Sequence, residues 1–394
     1  MNLWNIPWRA HRKYQLDGFS ELAKSSIDTF LVNILGYRFL YKHVLQERLQ
    51  QLSRDRLHAE GDYQIYESCT KEVPTKSRKG IPQEGSPSET YWPGDRFVCT
   101  LTDTKVLGPV GPAVTTDGRL IAETVGTPQL ADRRVGVAVA KALVNSPRHA
   151  TATLNGDETP DIQFEMATIL LPPWNNYYHW TIECLPRIRL LEMYAAEEGE
   201  YPDLLVPSNR SSWVNEMIDR VDYQGRVVTW NGDVAHIDRL VIPSFPDPTR
   251  EECQWLRNRM RGDEIAGSNK KHIYISRTDA TARRVDNIDE IQPVLDRYGF
   301  ETYVLSELSV AEQINLFANA EVVVAPHGAG LANIVYADDV EVIELFGNKK
   351  IASFARLAEI LDYGYIDLDC EQRGVNLVVD PDRLDTAIQS IVAE

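Results

Sequence analysis

The sequence has no long apolar run, no paired cysteine motif and no excess of positive charge. In the apolar N-terminal segment the longest uncharged stretch, Thr29–Tyr37, falls well short of the roughly 20 residues that a membrane-spanning helix needs. The five cysteines are scattered and form no CxxC pair, which argues against a disulfide framework and against a zinc site. The sequence therefore predicts a cytoplasmic protein that is neither integral to a membrane nor secreted.

The charge balance is strongly acidic. Lysine and arginine number 41 against 58 aspartates and glutamates, which gives the 394 residues a net charge of −17. This disfavours a nucleic-acid partner, because a general nucleic-acid binder needs a positive surface. Carboxylates in excess of a small lysine content suit a high-salt cytoplasm, although acidic proteins of ordinary cells share this bias.

Residues 1–60 depart from that balance, since nine cations and six carboxylates give them a net charge of +3. Apolar side chains follow Ser25 and Ser26 at helical spacing, which predicts an N-terminal helical extension. Two interpretations fit this segment. It packs on the body of the protein, or it makes peripheral contact with an anionic membrane, as nearby Trp4 and Trp8 favour.

The rest of the chain reads as an α/β protein. A Pro-, Gly- and Ser-rich stretch, Pro74–Asp95, predicts a loop, and the helices and strands after it include a helix at Thr181–Tyr194 and a short strand at Leu240–Ile242. The last third alternates most regularly, with fully apolar strands that indicate a doubly wound parallel sheet. The predicted boundaries give an N-terminal extension at 1–60 and two further domains, at 61–248 and at 249–394.

A glycine turn, PHGAGLAN, directly follows the apolar strand Val322–Ala325. Ligands of doubly wound sheets bind beyond the carboxyl ends of strands, where glycine lets backbone N–H groups approach a phosphate at the start of the next helix. His327 would add a hydrogen bond or a positive charge there. The alternative is a tight turn whose glycines serve close packing alone.

A second motif follows the predicted strand His272–Ser276, where Arg277 is succeeded by Arg283 and Arg284. In a parallel sheet Arg277 projects from the same edge as His327. Two cationic elements at one edge suit a diphosphate, because arginine binds phosphate oxygens bidentately. The alternative is a solvated run of arginines.

The third motif is aromatic, WNNYYHW at Trp174–Trp180, and Glu183 follows it. Aromatic faces of this kind line carbohydrate sites, and a histidine or glutamate beside them can act as a general base. His179 and Glu183 are four residues apart, so on a helix both side chains can face one cleft. The alternative is an aromatic core that contains one satisfied histidine.

These three segments, in this order, resemble glycosyltransferase family 61. The resemblance spans about residues 165–350 and lies in NNYYHWTIECLPRIRLLE (Asn175–Glu192), YISRTDATARRVDN (Tyr274–Asn287) and VVVAPHGAGLANIVYADDVEVIELF (Val322–Phe346). It implies a GT-B architecture, in which two Rossmann-like domains face each other across a cleft. The domain at 61–248 would then be the acceptor-side domain, and the domain at 249–394 would bind the nucleotide sugar. It also implies inverting transfer of a sugar from a nucleotide sugar to a glycan, lipid-linked or polysaccharide acceptor, without a further cofactor and usually without a bound metal.

The resemblance also implies roles for single residues, and it leaves open whether His179 or Glu183 is the base. Asn176, Tyr178 and Trp180 would face the acceptor. Glu344 is placed like a carboxylate that binds the donor ribose. The implied donor-binding set is Arg277, Arg284, His327, Gly328, Ala329, Gly330, Asn333 and Glu344.

Three other interpretations compete with a metal-independent transferase. Asp367-Leu368-Asp369 ends a predicted strand, as the metal-binding Asp-x-Asp of the other large glycosyltransferase fold does. A nucleotide-sugar epimerase or hydrolase would need the same diphosphate-binding loop. A non-catalytic member of the family would use the aromatic segment to hold a glycan.

Overall fold

The structure is a computed structural model. It describes residues 41, 50–68, 73–74, 90–91, 94–108, 111–126, 131–145, 147–154, 160, 162–172, 176–208, 210–230, 232, 234–245, 247–262, 270–348 and 350–392. Most of the predicted N-terminal extension and of the predicted loop Pro74–Asp95 lies outside these residues, as do Trp174 and Asn175.

The described chain divides into two compact units. The N-terminal unit contains the described residues from 41 to 68 and from 94 to 247, and the C-terminal unit contains those from 248 to 392 together with residues 73–74 and 90–91. The division at 247 and 248 falls beside the boundary between 248 and 249 that we predict from the sequence.

Eleven strands precede residue 248 in the described chain. They are β1 (Gln51–Leu52), β2 (Asp62–Glu67), β3 (Val73–Pro74), β4 (Thr90–Tyr91), β5 (Arg96–Leu107), β6 (Ala113–Thr115), β7 (Leu120–Ile121), β8 (Ile162–Ile169), β9 (Asp203–Pro207), β10 (Val227–Trp230) and β11 (Val234–Pro243). The α-helices of this part are Arg54–Glu60, Ala131–Asn145, Pro147–Leu154, Arg187–Glu198 and Ser212–Val221.

The N-terminal unit is built on a mixed sheet of nine strands. Its order is β1-β7-β6-β5-β11-β8-β9-β10, with β2 paired to β5. Strands β11, β8, β9 and β10 run parallel to one another, whereas β5 pairs antiparallel with β11, β6 and β2. One half of the sheet is thus parallel, and the other half is mainly antiparallel, with one short parallel pair between β1 and β7. The predicted α/β class is confirmed at this level.

Strand β11 shows why sequence pattern underestimates this sheet. The prediction of a short strand at Leu240–Ile242 is wrong in extent, because the strand runs over Val234–Pro243 and pairs with both β5 and β8. Its first half alternates apolar residues with half-buried polar ones, so it gives no apolar run. Ala235, Ile237 and Leu240 nevertheless belong to the buried core of the unit.

The predicted helix Thr181–Tyr194 is interrupted. A π-helical segment occupies His179–Cys184, where Leu185 N donates to Trp180 O at 3.0 Å, and the α-helix runs from Arg187 to Glu198. Pro186 lacks an N–H group and therefore cannot continue the helical ladder. A π-helical turn within helical surroundings is rare and is often found at functional sites.

The C-terminal unit has a regular α/β succession. Its strands are β12 (Lys271–Ser276), β13 (Phe300–Val304), β14 (Ala320–Pro326), β15 (Glu341–Phe346), β16 (Gly364–Asp369), β17 (Glu371–Arg373) and β18 (Asn376–Val378). Its α-helices are Arg250–Arg261, Ile288–Arg297, Val310–Ala318, Ser353–Leu361 and Pro381–Val392, and its 3₁₀ segments are Leu305–Glu307 and Ala329–Tyr336.

Five of these strands form one parallel sheet in the order β13-β12-β14-β15-β16, as the apolar strands predict. Val322, Val324 and Ile343 are almost completely buried in its core. The sheet grows in one direction from β12 to β13 and in the other from β12 to β14. The strand order therefore reverses between β12 and β14, and this is the point where ligands of such sheets bind.

Capping boxes set two helix starts in this unit. Thr249 Oγ1 accepts from Glu252 N at 3.3 Å, while Glu252 Oε2 accepts from Thr249 N at 3.1 Å, and Ser309 and Glu312 make the same reciprocal pair. The first helix of the unit therefore begins at Arg250.

In the part of the chain that the structure describes, no helix combines the length and the apolar character needed to cross a lipid bilayer.

Candidate functional site

The sheet order of the C-terminal unit brings two of the sequence motifs together. Arg277 directly follows β12, and His327 directly follows β14. These strands are parallel neighbours, so both residues leave the sheet at its carboxyl edge, beside the reversal of strand order. The arginine motif and the glycine turn therefore occupy the expected ligand-binding edge of a doubly wound sheet.

The guanidinium group of Arg277 lies against the backbone of the glycine turn. A Cβ atom added to Gly328 would lie 1.9 Å from Arg277 Nη1, so a side chain at position 328 would displace the guanidinium. Gly328 has an extended backbone with φ of −176°, which any residue can adopt. Glycine is thus needed here for close approach and not for its conformational freedom.

Burial, and then the positive charge of Arg283, lowers the pKa of Arg277 to about 10. The group is still a cation at neutral pH. Its Nε donates to Ala282 O at 3.4 Å, and among the described residues it forms no ion pair, although Asp279 attracts it from farther away. A half-buried cation in this situation favours an anionic ligand.

His327 is held on three sides. Its Nδ1 lies 2.5 Å from Glu344 Oε1, and its ring packs against Phe346 and Phe354 with centroid distances of 5.3 and 5.5 Å. The backbone N–H of His327 donates to Leu345 O at 3.0 Å, which ties the turn to β15. When Glu344 is ionised it accepts from Nδ1–H, and Nε2 is then the ring nitrogen available to a ligand.

Glu344 lies behind His327. It is fully buried, and its second carboxylate oxygen accepts from the Tyr365 hydroxyl at 2.5 Å. Burial raises the pKa of Glu344, although its hydrogen bonds with His327 and Tyr365 act in the opposite direction. Both oxygens are therefore engaged within the protein, and the implied contact of Glu344 with the donor ribose stays a prediction.

The turn beyond His327 is stabilised by a buried side-chain hydrogen-bond network. Asn333 is fully buried and donates from Nδ2 to Gly330 O and to Gln313 Oε1, each at 3.0 Å. Gln313 donates in turn to Leu305 O at 2.9 Å. The segment that follows, Ala329–Tyr336, is a 3₁₀ helix, so the expected helix N-terminus is a tighter turn than an α-helix. Ala329 and Gly330 are half-buried on its outer side.

The aromatic motif, the third of the sequence motifs, lies in the N-terminal unit. His179 Nδ1 is 2.8 Å from Glu183 Oε2, on the π-helical segment His179–Cys184. The two side chains are 23% and 10% exposed, so the pair is partly accessible. An ionised Glu183 accepting from Nδ1–H leaves Nε2 able to accept a proton, which is the arrangement of a general base and its orienting carboxylate.

The neighbours of this pair differ in exposure. Asn176 is exposed and its Oδ1 accepts from Tyr178 N at 2.9 Å, and the half-buried ring of Tyr178 makes an edge contact with His179 at 5.6 Å. Trp180 is 1% exposed and packs in the interior of its unit. The aromatic segment thus combines both interpretations, because its histidine is accessible while Trp180 is a core residue and offers no open face to an acceptor.

The two carboxylates of the Asp-x-Asp sequence at the end of β16 form ion pairs with a lysine. Lys350 Nζ lies 2.5 Å from Asp367 Oδ2 and 2.7 Å from Asp369 Oδ1. Burial acts against the charge of Lys350, but the two carboxylates outweigh it and raise its pKa. In this arrangement the ammonium group neutralises the carboxylates that the metal-binding interpretation requires.

Sequence reasoning missed Tyr365, Phe354, Gln313 and Lys350. Tyr365, Phe354 and Gln313 contact a motif residue from a different strand or helix, Lys350 does so from a loop, and none of the four lies in a motif of its own. The strand register that sets Glu344 opposite Asp367 on β16, and so brings Tyr365 near, is a three-dimensional property. The sequence carries no local signal for such contacts.

Residues 177–343 match the sequence model of the family described as Glycosyltransferase 61. This segment is a glycosyltransferase 61 region. The match confirms the predicted family. The matched segment includes the pair of His179 and Glu183, Arg277 and the glycine turn, and it ends one residue before Glu344. A match to this family implies glycosyltransferase activity in general terms. No curated protein matches the chain.

Proposed function

We propose that the protein is an inverting, GT-B-class glycosyltransferase that moves a hexosyl or pentosyl group from a nucleotide sugar to a glycan, lipid-linked or polysaccharide acceptor. The observation that carries the proposal is the contact between the Arg277 guanidinium and Gly328 at the reversal of strand order. A half-buried, forked cation beside an N–H-bearing glycine turn suits the diphosphate of such a donor.

In this proposal Arg277 and His327 hold the diphosphate and stabilise the negative charge that develops as it leaves. Charge stabilisation by fixed donors is effective because they need no reorganisation during the reaction. Gly328, Ala329 and Gly330 supply backbone at close range, and Asn333 keeps the turn in shape.

The proposed base is His179, positioned by Glu183. Inversion requires a group that removes the proton of the acceptor hydroxyl as this oxygen attacks the anomeric carbon. Nε2 of His179 suits that role because Nδ1 is engaged by Glu183 at 2.8 Å. Asn176 and Tyr178 are the proposed acceptor contacts, whereas the burial of Trp180 argues against such a contact for it.

The direct test combines binding with product analysis. Purified protein is titrated with UDP-, GDP-, ADP-, TDP- and CMP-sugars, and a donor that binds is incubated with oligosaccharide and lipid-linked acceptors. We expect a product whose new linkage has the opposite anomeric configuration to the donor. Isomerised or hydrolysed donor without glycosylated acceptor would instead identify an epimerase or hydrolase, and glycan binding without nucleotide-sugar binding would identify a non-catalytic member.

Replacing His179 by alanine should lower kcat by about 10²- to 10⁴-fold, the usual contribution of a general base, and leave donor affinity within about twofold. Glu183→Gln should lower kcat less, because glutamine still accepts a hydrogen bond from Nδ1–H. His236 is a matched control, since its Nε2 lies 2.6 Å from Asp103 Oδ1 in a second histidine–carboxylate pair of the same unit. His236→Ala should leave kcat unchanged, and an equal loss in both histidine variants would contradict the assignment.

Transfer should not depend on a divalent metal. The Arg277 guanidinium supplies positive potential for the diphosphate and the His327 ring offers a hydrogen bond, while Lys350 pairs with the carboxylates of Asp367 and Asp369. Treatment with EDTA should therefore leave the transfer rate within about twofold, as a donor site of fixed protein charges predicts. Loss of turnover with EDTA and recovery with Mg²⁺ or Mn²⁺ would establish a metal-dependent donor site.

Two further expectations stay predictions. One is a cytoplasmic location, and the other is peripheral membrane contact through residues 1–60, most of which lie outside the described part of the chain.

A further inference from the structure

The loop that carries the arginine motif is fixed by the hairpin of β17 and β18. Arg283 N donates to Val375 O at 2.7 Å, and Leu377 N donates to Arg284 O at 2.8 Å. The Asn376 side chain adds a second tie, since its Oδ1 accepts from Arg284 N at 3.3 Å. The conformation of residues 283–286 is thus determined by backbone hydrogen bonds to the hairpin.

Arg283 has a left-handed backbone conformation, with φ of 59°. A side chain with a Cβ atom adopts this region at a cost of roughly 1–2 kcal/mol, and long side chains do so rarely. The hydrogen bonds on both sides of the residue hold it in this conformation. Backbone strain that the surrounding structure maintains in this way is often found at functional sites, where it orients a side chain.

The charge of Arg283 acts at the carboxyl edge of the sheet. Burial is the main cause of the lowered pKa of Arg277, and the positive charge of Arg283 is the second cause. The same charge acts to lower the pKa of Glu344, against the larger effect of burial, which raises it. The backbone also places Arg283 beside Arg277, because the carbonyl oxygen of the preceding residue, Ala282, accepts from Arg277 Nε at 3.4 Å. Arg284 differs, because its Nε is buried and its backbone pairs with the hairpin.

We propose that Arg283, and not Arg284, is the second phosphate-binding arginine of the site, so that Arg277 and Arg283 together select a diphosphate over a monophosphate. The inference rests on the proposed function, since it concerns the donor diphosphate. Two like charges held near each other repel, and a ligand with two adjacent phosphates relieves this repulsion more fully than one phosphate does. A forked guanidinium on each phosphate would also fix the position of the leaving group.

The test compares neighbouring variants by calorimetry. The probes are UDP, GDP and ADP, followed by the monophosphate that matches the diphosphate bound best. Arg283→Gln should weaken the diphosphate by at least tenfold and the monophosphate by less than threefold, whereas Arg284→Gln should change both by less than threefold. One charge-assisted contact accounts for a loss of this size.

A second pair of variants separates the charge from the backbone. Arg283→Asn keeps a residue that tolerates the left-handed region but removes the charge, and it should reproduce the loss seen with glutamine. Arg283→Lys keeps the charge and should retain part of the diphosphate selectivity. The folded state of each variant is checked by its melting temperature.

Each outcome decides between the two proposals. An equal loss of both ligands in Arg283→Gln, or a larger loss of diphosphate in Arg284→Gln, would overturn the role of Arg283 while leaving the donor site in place. If the wild-type protein binds neither these three diphosphates nor TDP, the proposed donor site itself is overturned, and the role of Arg283 with it.

Discussion

Replacement of Arg277 by alanine should weaken the binding of a nucleoside diphosphate by about 10- to 150-fold. This range corresponds to the loss of one charge-assisted hydrogen-bonding group, roughly 1.5–3 kcal/mol. Arg277 is expected to have the largest single effect because its guanidinium touches Gly328 at the reversal of strand order. Calorimetric titration with the diphosphate that the wild-type protein binds best measures the effect directly.

Gly328→Ala offers an independent route to the same loss. The alanine Cβ would lie 1.9 Å from Arg277 Nη1, while the backbone φ of −176° suits alanine as well as glycine. The variant therefore moves the guanidinium without removing its charge or straining the turn. In a double-mutant cycle the two substitutions should be strongly non-additive, because each removes the same interaction. Additive losses, or unchanged affinity in Arg277→Ala, would contradict the assignment.

The glycine turn and the arginine could be placed from sequence because the C-terminal unit follows local rules. Its central strand is an uninterrupted run of β-branched residues, Val322–Val324, and such a run indicates a buried parallel strand. A parallel sheet then fixes which end of each strand faces the ligand. The edge that holds Arg277 and His327 is thus predictable without knowledge of the strand order.

The contacts that hold His327 in place could not be predicted from the sequence as the sheet edge could. Glu344 and Tyr365 come from two further strands, and their contacts depend on the register between β14, β15 and β16. From sequence alone Glu344 resembles a ribose-binding carboxylate, since it stands near a strand end. Its complete burial is a consequence of packing that no spacing of residues reveals.

The N-terminal unit was less accessible to sequence reasoning because its elements lack strong local signals. The helix Ala131–Asn145 is rich in valine and contains Gly136, two features that lower intrinsic helix propensity. Tertiary packing overrides this preference, and Val135, Ala138 and Val139 are completely buried. The same applies to β11, whose alternating polar residues pair with two neighbouring strands.

Replacement of Arg187 by alanine should lower the free energy of unfolding of the N-terminal unit by about 3–5 kcal/mol. The side chain is 2% exposed, and it donates to Ile169 O and to Pro243 O, each at 3.1 Å. Its guanidinium lies 4.9 Å from the centroid of the Phe245 ring. Truncation would leave two buried carbonyl groups without their donors and would open a cavity where strands β8 and β11 end.

Two further variants separate the causes of that loss. Arg187→Met fills most of the volume but cannot donate, so it isolates the cost of the two unpaired carbonyl groups. Arg226→Ala is the surface control, because Arg226 is 68% exposed and pairs with Asp203, and exposed ion pairs contribute about 0–1 kcal/mol. Urea unfolding followed by circular dichroism gives each value, and a loss below 1 kcal/mol in Arg187→Ala would contradict this structural role.

The position of Arg187 also changes how the family motif is understood. The residue lies inside the block Asn175–Glu192 and begins the helix directly after the π-helical segment that carries His179 and Glu183. Burial lowers the pKa of its guanidinium, and its hydrogen bonds lead to the ends of strands and not toward an open surface. Arg187→Met, if it stays folded, should therefore keep a measurable transfer rate where His179→Ala does not. If replacing Arg187 lowers the stability of the protein but spares its transfer activity, this block combines the proposed catalytic pair with residues that hold that pair in place.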